Sequence, residues 1–188
     1  MAILEARGIV KRFAGVLALD HVNFSCERGR ITGLLGANGS GKSTLSKIVT
    51  GVYKADEGQI IYDGREVAFS NPADSKRNGV SMVFQNFSLV EDLTAWQNIV
   101  LGSEQKKGAF LDNTWAREEA ERIMKALWPA LDLERYVYQL SPGEMQMVEI
   151  AKAIICKPSL LIMDEPTAAL EREQDRSEFA YMHTLIEC

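Results

Sequence analysis

The sequence predicts an α/β protein in which an antiparallel β portion and a helical portion accompany a core of buried strands. Three observations carry this prediction: an alternating strand and a hairpin, two short apolar runs, and two segments with helical periodicity. Hydrophobic residues make up 46% of the 188-residue chain and charged residues 25%, a balance typical of globular proteins. This length favours one domain, 1–188, over two.

The antiparallel portion is predicted in the first third of the chain. Apolar and polar residues alternate over 22–26, which indicates a half-buried strand. Two strand-like runs, 59–62 and 66–69, flank Asp63-Gly64, and this dipeptide is a strong turn signal between them. We therefore expect a hairpin there.

Two other runs are apolar on both faces. Residues 31–35 precede a glycine-rich loop and a helix predicted over 42–49, and residues 160–163 precede two acidic residues. Strands of this kind are typical of a sheet that is covered on both sides, usually a parallel one.

Helical periodicity predicts two helices. The polar stretch 102–113 precedes the first of them and is expected to be a loop. The apolar residues of the first segment are Ala116, Ala120, Ile123, Met124 and Leu127. Those of the second are Met147, Val148, Ala151, Ile154 and Ile155, with Glu149 and Lys152 on the opposite face. We expect a helical subdomain over about 87–144 and a core formed by about 1–86 and 145–188.

Composition excludes several classes of function. The net charge of −5 argues against a bulk nucleic-acid binder. The three cysteines, Cys26, Cys156 and Cys188, are odd in number and far apart, so we expect neither a disulfide framework nor a zinc site. No signal peptide or spanning segment is expected, and any membrane role would come through a partner.

Residues 36–43, GANGSGKS, match the phosphate-binding motif G-x-x-x-x-G-K-[ST] in full, between a predicted strand and a predicted helix. Glycines let backbone N–H groups turn toward a phosphate, and the helix N-terminus adds a positive dipole end. Lys42 would reach the β- and γ-phosphates, and the Ser43 hydroxyl would ligate Mg²⁺. A plain glycine turn that caps a helix is the disfavoured alternative.

Two acids follow the second apolar run. Asp164 can direct a carboxylate at Mg²⁺, and Glu165 can polarise the attacking water. Many strands end in acids, so the pair indicates a magnesium–phosphate site only together with the phosphate loop.

Residues 141–144 have the pattern of a helix start. Ser141 suits the N-cap, Pro142 the first helical position, and Glu144 the third position of a capping box. Whether this helix N-terminus also meets a phosphate stays open from these residues alone.

Together these segments resemble the nucleotide-binding domain of ABC transporters. GANGSGKS, VFQNFSLVEDLTAWQNI, LSPGEMQMVEIAKAI and LLIMDEPTAAL occur in that family's order, and the resemblance covers about residues 3–171. QMVEIAKA and MDEPTAAL are similar to bacterial importers of monosaccharides. The resemblance implies a P-loop NTPase core of the ABC-ATPase type and an ATPase subunit that energises a sugar importer.

The resemblance also implies residue roles. Phe13 would stack on adenine, where Tyr is usual; a plain core aromatic is the alternative. Gln85 would touch Mg²⁺ and the attacking water and sense the membrane subunit, unless it is an ordinary loop glutamine. Ser141 and Gly143 would contact the γ-phosphate of ATP held by a second protomer. The residues implied to wrap the phosphates are Gly36, Ala37, Asn38, Gly39, Ser40, Gly41, Lys42, Ser43 and Thr44. The implied catalytic residues are Glu165, Gln85 and Lys42, and the implied Mg²⁺ ligands are Ser43, Gln85 and Asp164.

Partners and location follow from the same resemblance. It implies a dimer with a second ABC ATPase domain, a transmembrane permease, no nucleic acid and no direct membrane insertion. The location implied is the cytoplasm, peripheral on the inner face of the plasma membrane. Two alternatives stay open: a truncated nucleotide-binding or subunit-pairing module without turnover, and a soluble ABC-type ATPase.

Besides Phe13, the chain departs from the family pattern at the start of the helix after Ser141, at Glu171, where Asp is common, and near its end. Pro142 and Glu144 stand where Gly and Gln are usual, and Glu144 either folds back on the helix cap or faces the ligand and repels it. The family's histidine, which follows a later strand, has no counterpart, because His183 follows no strand-like run. We therefore expect a fold that is incomplete at the C-terminus, so that residues 1–188 alone rearrange, pair with another chain or form a piece of a longer protein. We also expect them not to hydrolyse ATP at a useful rate.

Overall fold

The computed structural model describes residues 1–107 and 110–164. The chain divides into two compact units, Met1–Ser81 and Met82–Cys188. The predicted grouping of 1–86 with 145–188 stays a prediction.

The first unit contains a four-stranded antiparallel sheet with the order β2-β1-β3-β4. Its strands are β1 (Ala2–Phe13), β2 (Val16–Glu27), β3 (Glu57–Tyr62) and β4 (Arg65–Val67). The predicted strand at 22–26 lies within β2, and β3 and β4 form the hairpin predicted around Asp63-Gly64. The antiparallel portion is therefore confirmed.

Two helices complete the first unit, α1 (Lys42–Val49) and α2 (Pro72–Arg77). The bounds of α1 are those predicted. Its buried residues are Leu45, Ile48 and Val49, and α2 is capped by the Asn71 side chain, which accepts from the Asp74 N–H at 2.9 Å.

The prediction of a buried strand at 31–35 is wrong. In the structure these residues form no strand and are exposed, with Leu35 at 94%. Within residues 1–107 and 110–164 no strand pairs with this segment. An apolar run becomes a strand only where a neighbouring strand satisfies its N–H and C=O groups, which composition alone does not guarantee.

The described residues of the second unit, 82–107 and 110–164, are mainly helical. Their helices are α3 (Ala95–Val100), α4 (Asn113–Leu127), a short 3₁₀ helix (Val137–Gln139) and α5 (Pro142–Ile154). The predicted apolar faces form its core, so the two helix predictions are confirmed; among the buried residues are Ile99, Ala120, Ile123, Leu127, Met147 and Val148. Glu149, placed by the periodicity on a polar face, is 5% exposed and therefore buried.

Four short strands remain. The boundary between the units falls in β5 (Val80–Val83), which forms a two-stranded sheet with β8 (Leu160–Met163). The strand prediction at 160–163 is confirmed, but its residues are half-buried rather than covered on both faces. Strands β6 (Lys106–Lys107) and β7 (Phe110–Leu111) pair antiparallel where a loop was predicted.

Over residues 1–107 and 110–164, every helix is too short or too polar to cross a membrane.

Candidate functional site

The loop before α1 encloses the side chain of Lys42. The Lys42 Nζ donates hydrogen bonds to the carbonyl oxygens of Gly36 at 2.8 Å and Ala37 at 2.9 Å. The Ser40 N–H donates to the Ala37 carbonyl at 3.1 Å and closes a tight turn. The loop therefore holds the Lys42 ammonium against its own backbone. Phosphate oxygens carry negative charge and would be stronger acceptors for this ammonium than the neutral carbonyl oxygens are.

Two glycines keep this loop open. A Cβ at Gly36 would lie 2.6 Å from the Ser40 Oγ, and one at Gly41 would lie 2.6 Å from the Ala18 carbonyl oxygen and from a Leu19 methyl carbon. Gly41 also has a φ of 91°, which side-chain-bearing residues rarely adopt. The cradle thus requires glycine at position 41, whereas a Cβ at position 36 would displace the Ser40 hydroxyl. The residues of the cradle fit a bound phosphate chain.

The N-terminus of α1 is suited to an anion. Gly41 occupies the N-cap, no side chain caps the helix, and its first turn carries no acidic residue. The positive end of the helix dipole is therefore not offset by a local carboxylate.

Phe13 is exposed at 37%, so the plain core aromatic considered above does not describe it. Its ring meets the Tyr53 ring edge-on, with centroids 5.1 Å apart and an interplanar angle of 67°. The Lys11 Nζ lies 5.3 Å from the Phe13 centroid. The contacts with Tyr53 and Lys11 therefore hold the Phe13 ring in place.

Two charged residues steady this aromatic pair. The Lys11 Nζ donates to Asp56 Oδ1 at 2.9 Å, and the Lys47 Nζ lies 5.8 Å from the Tyr53 centroid. The hydrogen bond from Lys11 holds the pKa of the Asp56 carboxyl below its usual value. Sequence reasoning missed Tyr53, whose only signal was that it is an aromatic residue four positions after the end of the predicted helix.

In the second unit, Ser141 is the N-cap of α5 with the predicted capping box. Its N–H donates to Glu144 Oε2 at 2.7 Å, and its Oγ accepts from the Glu144 N–H at 3.3 Å. Pro142 is the first helical residue, Ser141 is exposed and Gly143 is buried.

The open question about Glu144 is answered by its partners. Besides the cap, it accepts a hydrogen bond from Arg135 Nη1 at 2.7 Å. Burial raises the pKa of the Glu144 carboxyl, but the hydrogen bonds from Ser141 and Arg135 together outweigh burial and leave that pKa below its usual value. Glu144 thus folds back on the cap, and Arg135, which the sequence did not indicate, compensates its charge.

The remaining predicted residues lie near the end of the described chain or just after β5. Asp164 is 8% exposed, and its N–H donates to the Val83 carbonyl at 3.1 Å. Gln85 is exposed in the segment that follows. Glu165 and His183 lie outside the described residues, as does Cys188.

The sequence and fold were compared with known proteins. The family model described as "ABC transporter" matches residues 19–168. The chain belongs to the ABC transporter family.

The curated relatives that match this chain include import ATP-binding proteins. A ribose import ATP-binding protein of Clostridium tetani is 42% identical over 184 residues, covering 97% of this chain and 36% of the relative. A xylose import ATP-binding protein of Thermoanaerobacter pseudethanolicus is 45% identical over 174 residues, covering 92% of this chain and 34% of the relative. The chain thus spans about a third of the length of these relatives, and the resemblance to monosaccharide importers is confirmed.

Solved members of the family share the fold. The ADP conformation of an ATP-binding cassette of an ABC transporter is 31% identical, has a TM-score of 0.87, and is matched over 100% of this chain and 78% of that chain. A nucleotide-free ATP-binding cassette is 30% identical with a TM-score of 0.86 and the same coverage. The predicted ABC-ATPase-like α/β fold is therefore confirmed.

Proposed function

We propose that this chain forms the ATP-binding and ATP-hydrolysing part of a subunit that energises an ABC importer of a sugar. The observation that carries the proposal is the glycine cradle of residues 36–41, with the Lys42 ammonium held against its carbonyl oxygens. The import of ribose and xylose by the relatives' systems supports a sugar as the cargo.

In this proposal the phosphate loop binds the triphosphate. The N–H groups of 36–44 and the Lys42 ammonium are the donors, and the positive end of α1 faces the charge. Lys42 stabilises charge that develops on the transferring phosphoryl group, which is the main way such reactions are accelerated.

Magnesium ligands are proposed from the chemistry of their donor atoms. The Ser43 hydroxyl, the Gln85 amide oxygen and the Asp164 carboxylate are hard oxygen donors of the kind Mg²⁺ prefers. When bound, Mg²⁺ would neutralise charge on the phosphates. Glu165 is proposed as the general base for the attacking water.

The base of the nucleotide is proposed to stack on Phe13. Tyr53 and Lys11 contact the Phe13 ring, so its position is fixed before the base binds. A preorganised ring loses less conformational entropy when it binds.

We also propose the partners and location that the family resemblance implies. Ser141 and Gly143 would meet ATP bound by a second ABC ATPase domain, and the segment after Gln85 would dock a transmembrane permease. The subunit would then work in the cytoplasm, peripheral on the inner face of the plasma membrane.

The test combines binding and turnover. Calorimetric titration with MgATP should show one site per chain. Phosphate release should be compared between the parent and Glu165→Gln, each within a protein that extends to a full domain, because the substitution keeps shape but removes the base. We expect equal binding and suppressed release in the variant. Binding without any release in the parent would favour the nucleotide-binding module without turnover, and no binding at all would contradict the proposal.

A further inference from the structure

Ser88 lies in the irregular segment between β5 and α3, where two side chains of α5 hold it. Glu149 Oε1 accepts from the Ser88 N–H, and Glu149 Oε2 accepts from the Ser88 hydroxyl at 3.2 Å. Lys152 Nζ donates to the Ser88 carbonyl oxygen at 2.9 Å and to its Oγ at 3.1 Å. All three polar groups of Ser88 are therefore bonded to α5.

The burial of Glu149 indicates that these bonds are built into the fold. Glu149 is 5% exposed. Burying a carboxylate costs free energy unless hydrogen-bond donors surround it. Ser88 supplies two donors, and the Lys152 ammonium lies on the same serine. Bonds in which one partner is charged are shorter and stronger than neutral ones, so this junction is firmer than a usual loop contact.

The same segment is tied a second time, close to the start of α5. The Val137 N–H donates to the Leu93 carbonyl at 3.1 Å, and the Tyr138 N–H donates to the Glu91 carbonyl at 3.4 Å. Residues 137–138 lead directly into the N-cap Ser141. The segment that begins at Gln85 is thus fastened both to the body of α5 and to the residues before its first turn.

We propose that Glu149 and Lys152 are positioning residues that make the Gln85 segment and α5 move as one body. This inference rests on the proposed function, in which Gln85 responds to the nucleotide and its Mg²⁺ while Ser141 meets the ATP of a second protomer. A helix rises about 1.5 Å per residue, so the junction at Glu149 lies roughly 12 Å along α5 from Ser141. A displacement of the segment is passed through this stiff element to the helix N-terminus.

Amide hydrogen exchange of the nucleotide-free chain tests the junction itself. Glu149→Ala should speed exchange over residues 86–93 by about tenfold, because it removes the acceptors of both the Ser88 N–H and the Ser88 hydroxyl. Glu149→Gln keeps an oxygen acceptor and should change exchange no more than about threefold. Ser88→Ala removes only the hydroxyl and should give an intermediate effect, which keeps the test valid if Glu149→Ala does not fold.

A matched control is Glu121→Gln, at an exposed carboxylate of α4, which should leave exchange over 86–93 unchanged. If Ser88→Ala and Glu149→Gln exchange at the parental rate and a folded Glu149→Ala does so too, the positioning role is refuted.

A second measurement tests the coupling in the presence of MgATP, at concentrations where the chain is monomeric. In the parent, MgATP should slow exchange at 36–44 and also at 144–148. In Glu149→Ala or Ser88→Ala, the slowing at 36–44 should persist while that at 144–148 falls at least threefold. Equal slowing at 144–148 in parent and variants would overturn the coupling and leave the proposed function standing. No slowing at 36–44 in the parent would instead refute the proposed function, and the nucleotide-free exchange would still decide the junction.

Discussion

Lys42 shows how one side chain prepares a binding site before its ligand is present. Its ammonium is held by the carbonyl oxygens of Gly36 and Ala37, so little side-chain entropy remains to be lost when phosphate oxygens replace them. Lys42→Ala should weaken MgATP binding by at least a hundredfold, since a charge-assisted contact of this kind contributes about 3 kcal/mol. Fluorescence titration with a labelled ATP analogue measures this loss. Lys125→Ala, at an exposed lysine of α4, is the control, and equal affinity of Lys42→Ala and parent would contradict the site.

Glu144 makes stability depend on pH. Its pKa is lower in the folded protein than in the unfolded chain, so its contribution is present above the unfolded value of about 4.3 and is lost as the pH falls through the folded value. Glu144→Gln should therefore be less stable than the parent at pH 7, by a few tenths to about 1 kcal/mol, and equally stable in acid. Urea unfolding between pH 3 and 7 tests this expectation. A constant difference across that range would show that the carboxylate charge is not the cause, and Glu121→Gln serves as the control.

At the same scale, the sequence predicts local contacts better than distant ones. The capping box of Ser141 and Glu144 was predictable because both residues lie within one helical turn. Arg135 and Ser88 were not, since their partners on α5 are brought to them only by the packing of the helical unit. The burial of Glu149 follows from such a distant partner, and helical periodicity placed it on the wrong face.

Among the elements, the junction between the phosphate loop and α1 depends on Gly41. Gly39 and Gly41 both have positive φ, 79° and 91°, so alanine at either position should cost about 1–2 kcal/mol of backbone strain. A Cβ at Gly39 meets open space, whereas one at Gly41 meets the Ala18 carbonyl oxygen at 2.6 Å. Gly41→Ala should therefore lose at least 1 kcal/mol more stability than Gly39→Ala, measured by chemical unfolding. Equal losses would mean that β2 yields to the added atom at no cost.

Elements with strong local signals were predicted closely, and the exception has a physical reason. The bounds of α1 and the hairpin of β3 and β4 agree with prediction, because the phosphate-loop motif and the Asp63-Gly64 turn are properties of adjacent residues. A buried strand depends on neighbours far along the chain. Residues 160–163 have such a neighbour in β5 and form β8, whereas 31–35 have none among the described residues and form no strand.

At the scale of the whole molecule, the sequence predicts that residues 31–35 are buried, whereas in the structure they are exposed. Ile31 is 50% exposed and Leu35 is 94% exposed, so lysine at position 35 removes almost no buried contact. Leu35→Lys should change the free energy of unfolding by no more than about 0.5 kcal/mol and should reduce binding of an apolar dye to the folded chain. Leu45→Ala, at a residue 3% exposed, should cost about 2–5 kcal/mol and calibrates the measurement. If Leu35→Lys instead costs more than about 2 kcal/mol, residues 31–35 are buried in the folded protein, and the strand that their composition predicted forms against a neighbour outside the described residues.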